Sequence, residues 1–423
     1  MVTIRGAAEA ERLEADGVPP ADRAAVAARA GATTGTARAA VRSGARVIAG
    51  RTRAAGLALA AKPTGAVRVA GLAPAGDLAL DDRTPPWPGE HVVVNGARLY
   101  VRRVAHPFGP ATGGSPGPTT GGLPNATTGA SSNPTTGALP EREPALFVHG
   151  LAGSSTNWTD LGVLLGSYLD GVALDLPGFG RSGPAPRRDY SISTSADLVI
   201  AYLEQSGRGP VHLFGNSMGG AVSLRVAAIR PDLVRTLTLV SPAVPDLRVR
   251  RPGTDAGMML LLVPGVGGLV QRRIDAVSPE QRARGLIEVC FADPSRIPPH
   301  RLAEAVEAVR EREHLPWVAD AFRRSLRALV AFYVSAGRRS PWQLMARIAA
   351  PTLIVWGDQD RLVDVALAPR VARTIPDARL LVLPGVGHTA QLEDPVVTAR
   401  AFLALRDDAA GAGQAPDRVP SRA

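Results

Sequence analysis

Six short apolar runs do most to limit what this chain can become: Ala145–Val148, Val172–Leu174, Val211–Phe214, Thr236–Val240, Thr352–Val355 and Arg379–Leu383. Runs this short and this continuously apolar suit strands of a parallel sheet covered on both faces, where neither side of a strand meets water. Helix-like segments at Ser195–Gln205 and Gly219–Arg230 separate some of them, and strand–helix alternation predicts a doubly wound, mostly parallel α/β sheet. Between Val240 and Thr352 the alternation stops. Helix-like stretches fill the gap, and Val318, Phe322, Leu326, Leu329 and Phe332 are spaced for one apolar helix face. The expectation is a helical cap inserted between two strands.

The remaining segments are of a different kind. Residues 1–85 contain no aromatic side chain and are rich in Ala, Arg, Gly and Thr. Short helices are plausible at 21–30 and 37–49, but without bulky apolar groups they bury too little surface to offset their ordering entropy. A largely disordered extension is expected there. After Pro86-Trp87-Pro88, His91–Val94 and Arg98–Val104 read as strands joined by Asn95-Gly96, a strong hairpin signal. Residues 107–140 carry no charge and repeat Thr-Thr-Gly at Thr119, Thr127 and Thr135. Such low-complexity sequence builds no core, and a hairpin tolerates it because closure entropy grows only logarithmically with length. The expected organisation is therefore an extension at 1–85, a core at 86–245 and 346–408, a cap at 246–345 and a flexible tail at 409–423.

Charge invites a nucleic-acid reading, since the net charge is +10. Residues 1–75 hold eleven basic side chains against five acidic ones, so a surplus of six lies outside the expected core. No basic run is interleaved with aromatics, and a solvated surface is the better reading. Cys290 is the only cysteine, so neither an intrachain disulfide nor a cysteine metal cluster is possible, and no cofactor or metal is expected. Glu9, Glu11, Glu14 and Asp16 occupy the place of a signal peptide's apolar region. The most apolar run, Met258–Val270, is broken by Pro264 and three glycines and is too short to span a bilayer. A cytoplasmic location without membrane insertion is the expectation; oligomeric state is open.

Chemistry concentrates in three places. Gly215-Asn216-Ser217-Met218-Gly219 follows a strand-like run and precedes a helix-like one. A sharp strand-to-helix turn needs small residues, lifts the serine hydroxyl above the sheet and aims the helix N-terminus at a developing oxyanion. The bland alternative is a Gly-rich turn. A serine hydroxyl needs a base. Of seven histidines, His91 and His212 lie in strands, His106 borders the insertion, His300 and His314 belong to the cap, and His149 suits turn structure. His388, in Gly385-Val-Gly-His-Thr389 after the last strand, lies at the carboxyl edge where such sheets form sites. The third member must orient the imidazole, and Asp360 in Trp356-Gly-Asp-Gln-Asp360 is the choice, with Asp358 and Asp246 as alternatives. Backbone N–H groups of Met218 and of Leu151, in the turn His149–Gly153, are the candidate oxyanion hole.

Together with Asp175-Leu-Pro-Gly-Phe-Gly-Arg-Ser182, these motifs in the order Ser…Asp…His resemble the α/β-hydrolase superfamily. The resemblance implies an α/β-hydrolase fold whose cap covers an acyl pocket. It also implies a serine hydrolase that cleaves a carboxylic ester of a small, apolar substrate through an acyl-enzyme. Gly-Asn-Ser-Met-Gly-Gly is also similar to carbon–carbon bond hydrolases of ring-fission products. Those usually carry a Ser-Gly-Pro-Gly-like oxyanion turn and an aromatic after the histidine, where this chain has Leu151-Ala-Gly153 and Thr389. A cofactor-free haloperoxidase-like esterase and a non-catalytic binding protein of the same fold complete the alternatives.

Overall fold

The computed structural model describes residues 59–61, 68–70, 87–104, 142–245 and 266–413, all within one compact unit, Leu57–Ala423. Ten strands are described: β1 (Leu59–Ala61), β2 (Arg68–Ala70), β3 (Gly89–Val94), β4 (Ala97–Arg103), β5 (Glu143–Val148), β6 (Leu169–Asp175), β7 (Val211–Asn216), β8 (Val234–Val240), β9 (Thr352–Gly357) and β10 (Ala378–Leu383). They form one sheet in the order β2-β1-β10-β9-β8-β7-β5-β6-β4-β3. The six strands from β10 to β6 are mutually parallel, and antiparallel pairs close both edges. The apolar runs are thus the parallel centre. In β5, Ala145 and Phe147 feed one face while Leu146 and Val148 feed the other, and β9 divides Leu353 and Val355 from Ile354 and Trp356 in the same way.

The core helices α1 (Thr159–Leu165), α2 (Ile192–Ser206) and α3 (Ser217–Ile229) come before the cap. The cap helices follow β8: α4 (Val266–Asp275), α5 (Pro279–Cys290), α6 (Pro299–Glu313), α7 (Val318–Tyr333) and α8 (Pro341–Met345). Then come α9 (Ala368–Thr374), α10 (Ala390–Glu393) and α11 (Pro395–Gly413). One face of the sheet packs on α2, α3, α8 and α9, the other on α1 and α11. On the second face Phe214 sits between Phe147 and Phe402, with ring centroids 4.6 and 4.8 Å away. Truncating a buried phenylalanine of this kind costs about 3–5 kcal/mol. Local signals mark the helix ends: Ser191 accepts from Thr194 N–H at 3.1 Å to start α2, and Gly207, at φ 62°, ends it.

Asn95 (φ 47°) and Gly96 (φ 78°) make the expected two-residue hairpin. Two expectations need amending. The six residues of β1 and β2 lie inside the stretch read as a largely disordered extension, and β1 pairs with β10. A three-residue strand is too short to show a periodicity; only its partner in the sheet defines it. Likewise α11 runs to Gly413, five residues into the expected tail. The low-complexity insertion, most of the extension and Met258–Val263 lie outside the described residues. Among the described residues no helix is long and apolar enough to cross a membrane.

Candidate active site

Strand β7 ends at Asn216 and α3 begins at the next residue, Ser217. The abrupt reversal holds Ser217 at φ 50°, a left-handed conformation that side chains other than glycine rarely adopt. Its neighbours make room. A Cβ on Gly219 would collide with the carbonyl oxygens of Val148 and His149, and one on Gly215 would lie 2.6 Å from Ser223 Oγ. Both glycines are thus required by contact. Asn216 is buried, and its Nδ2 donates to Val240 O at 3.0 Å and to His388 O at 3.2 Å. It ties the serine turn to β8 and to the histidine loop. Sequence reasoning passed over it because both partners are distant in the chain.

Asp360 follows β9 and His388 follows β10, at the same edge of the sheet. His388 Nδ1 stands 2.9 Å from Asp360 Oδ2, and both side chains are almost fully buried. The other carboxylate oxygen of Asp360 accepts the N–H groups of Leu362 (2.8 Å) and Val363 (2.9 Å). Burial alone would raise the Asp360 pKa. The charge and hydrogen bond of His388, with the two backbone donors, outweigh burial and hold it below the ordinary carboxylate range. Asp358 instead accepts Gly385 N–H at 2.7 Å from an exposed position, so it caps a turn. Asp246 lies outside the described residues.

The turn His149–Gly153 packs directly on the serine: a Cβ on Gly150 would stand 3.1 Å from Ser217 Cβ. His149 is a strut of that turn. Its Nε2 accepts Leu176 N–H at 2.9 Å, which assigns the proton to Nδ1 for donation to Gly150 O at 2.7 Å. Burial pulls its pKa down, against the opposing charge of Asp175, and so keeps the ring neutral. Asp175 in turn accepts N–H groups from Ser155 (2.5 Å) and Arg181 (2.8 Å), which explains the Asp-Leu-Pro-Gly-Phe-Gly-Arg-Ser motif as scaffold under this turn. Met218 is in the first turn of α3, where N–H groups have no intrahelical acceptor.

A second unforeseen residue is Glu393. Its two oxygens accept Gly387 N–H and Ala292 N–H, each at 2.8 Å. One carboxylate therefore joins the histidine loop to the cap, where His388 N–H also donates to Cys290 O at 2.6 Å. Arg361, beside Asp360, donates to Glu288 O at 2.8 Å.

Ser217, His388 and Leu151 line a cavity of about 860 Å³ between the sheet edge and the cap. Its cap side is largely apolar, with Ile274, Ile287, Phe322, Leu326 and Leu329 among the lining residues. The α7 stripe expected from spacing therefore does two jobs. Phe332 packs in the core, while Phe322, Leu326 and Leu329 also face the cavity. Among the described residues no group of three His, Cys, Asp or Glu side chains is placed to hold a metal ion.

Residues 145–401 match the alpha/beta hydrolase family. The chain is 30% identical to the dihydrolipoyllysine-residue acetyltransferase component of the acetoin cleaving system of Pseudomonas putida, across 59% of this chain and 60% of that one. It is 27% identical to a monoacylglycerol lipase of Xenopus laevis, across 60% of this chain and 72% of that one. The fold is shared with the 2-hydroxy-6-oxo-6-phenylhexa-2,4-dienoate hydrolase of Rhodococcus sp. strain RHA1, at a TM-score of 0.55 and 19% identity, covering 76% of this chain and 99% of that one.

Proposed function

This chain belongs to the alpha/beta hydrolase family, and from that premise we propose that it is a serine hydrolase cleaving carboxylic esters of small, largely apolar substrates. One observation carries the reading: His388, held on Asp360 at 2.9 Å, shares a cavity with Ser217, whose backbone is set at φ 50°. In the proposed cycle His388 Nε2 takes the proton of Ser217 Oγ as the oxygen attacks the ester carbonyl. The N–H groups of Leu151 and Met218 donate to the tetrahedral oxyanion. His388 then protonates the leaving alcohol, and water repeats the sequence to release the acid and free Ser217. Asp360 stays ionised throughout and holds the imidazole with Nδ1–H toward itself. The apolar cap wall supports an acyl or alkyl chain as the bound group.

The test combines labelling with kinetics. A fluorophosphonate should modify Ser217 alone, and esters of graded chain length should be turned over. Ser217→Ala and His388→Ala should each lower kcat by several orders of magnitude, and the double variant by little more, because the residues act as a unit. Asp360→Asn should also lose orders of magnitude by favouring the wrong tautomer, whereas Asp358→Asn should not. Full activity in Ser217→Ala would sink the proposal. Turnover of a ring-fission diketone without any ester turnover would move the reading to carbon–carbon bond hydrolysis.

A further inference from the structure

Two arginines of α6, Arg301 and Arg312, line the cavity, and the fold treats them differently. Arg301 is fully engaged: its Nε and one terminal nitrogen donate to Asp160 Oδ1 at 3.0 and 2.6 Å, and the other donates to Glu304 at 2.8 Å. Arg312 has no hydrogen bond or ion pair from its guanidinium among the described residues, and its Nε is shut off from solvent without an acceptor. Its nearest compensation is the ring of Phe179, with Cζ 5.6 Å from the centroid. The same ring meets His149 at 5.8 Å, so Arg312 belongs to the oxyanion-turn side of the cavity. The acid whose charge reaches it, Asp175, already accepts from Ser155 and Arg181. Burial accordingly pulls the Arg312 pKa down, and Asp175 restores only part of the loss.

An unpaired guanidinium in an apolar wall is unfavourable by itself, and a fold that keeps one has a place for an anion. The Phe179 ring lies against the group, and a ring face accepts no N–H···O bond, so the donors of Arg312 remain available to a ligand in the cavity it lines. One unpaired cation balances one negative charge, and the planar fork matches the two oxygens of a carboxylate. Resting on the serine-hydrolase reading, we propose that Arg312 binds a carboxylate carried by the substrate. The preferred esters then have an otherwise apolar acyl or alcohol part that bears an acid. Arg312 acts in binding and specificity, away from the bond that breaks.

The experiment compares matched pairs. The acyl pair is the mono-4-nitrophenyl esters of dicarboxylic acids against the same esters with the far acid methylated. The alcohol pair is 4-carboxyphenyl hexanoate against its methyl-capped form. In the wild type one acid-bearing member should exceed its capped partner in kcat/KM by about ten- to a hundredfold, the range of a charge-assisted hydrogen bond. Arg312→Met should bring that ratio to within about threefold of one, mainly through KM, and Arg312→Lys should retain part of it. Arg312→Met should melt no lower than the wild type, because it removes a partly buried charge that has no acid partner. A wild-type enzyme that turns over the neutral esters and shows no acid preference in either pair overturns the inference while leaving the serine-hydrolase reading intact. So does a preference unchanged in Arg312→Met, or a preference for phosphate-tailed esters alone. No turnover of any ester and no fluorophosphonate labelling would sink the underlying reading, and the inference with it.

Discussion

Replacing Glu393 with alanine removes one acceptor shared by two backbone donors, Gly387 N–H and Ala292 N–H, each at 2.8 Å. A hydrogen bond to a charged group contributes about 1.5–3 kcal/mol, and a buried donor left bare costs about 1–3 kcal/mol. Glu393 is only partly buried, so water can reach one of the two donors once the carboxylate is gone. We expect a loss of about 2–4 kcal/mol, which in a domain of this size lowers Tm by roughly 4–10 °C. Gly387 precedes His388, and His388 N–H is anchored on Cys290 in the same junction. A small displacement of the imidazole should therefore lower kcat roughly tenfold or more, measured where both proteins are folded. Glu393→Gln keeps one acceptor and should fall between. Circular-dichroism melting and steady-state ester hydrolysis decide the matter. A Tm within about 1 °C of wild type together with kcat within about twofold would show that the carboxylate neither braces the junction nor positions His388.

Two further outcomes follow from buried titratable groups. Burial pulls His212 down to about 4, against the raising effect of Glu143, so the folded protein holds it neutral while the unfolded chain protonates it near 6.5. Its stabilisation is present above pH 6.5 and is lost as pH falls from there toward 4, by about 3 kcal/mol from this residue, with His149 adding in the same direction. Urea unfolding at stepped pH should show that slope, and His212→Gln should reduce it; a flat wild-type profile would contradict the reasoning. Burial first, then the charges of Asp360 and Glu393, push the Cys290 thiol up to about 12. Iodoacetamide at pH 8 should therefore alkylate the native protein orders of magnitude more slowly than the urea-unfolded chain, and equal rates would refute this.

The parallel centre and the candidate set Ser217, Asp360 and His388 were legible because each depends on neighbours close in sequence: an apolar run, then a turn with the right residues. Asp360 rather than Asp358 stands beside His388 for the same reason: three residues separate Trp356 from the acid that the loop turns inward. What escaped is non-local. Asn216 reaches His388 across 172 positions, and Glu393 reaches Ala292 across 101. Neither residue belongs to a pattern that a linear reading can weigh. Arg312 is a third case. Helical periodicity places it on α6 but is silent on whether an acid stands opposite, and only the pairing of Arg301 with Asp160 shows that one arginine was provided for and the other was not. The strands β1 and β2 were missed because their definition rests wholly on partners such as Leu381.

The return of the cap to the core has a bearing on recombination. Between Glu288 and Arg296 the chain is clasped from outside the cap at four points: Arg361 on Glu288 O, His388 on Cys290 O, Glu393 on Ala292 N–H, and Arg296 itself on Gly385 O. An exchange between related sequences of the segment from α4 to just before Glu288 replaces cavity residues such as Ile274 and Ile287 and leaves every clasp with its own partner. One whose boundary falls between Glu288 and Arg296 sets the clasped positions before it, from one parent, against partners from the other. The cavity lining on one side of this seam is therefore free to change, while the stretch 288–296 has to travel with the loops that carry Asp360 and His388.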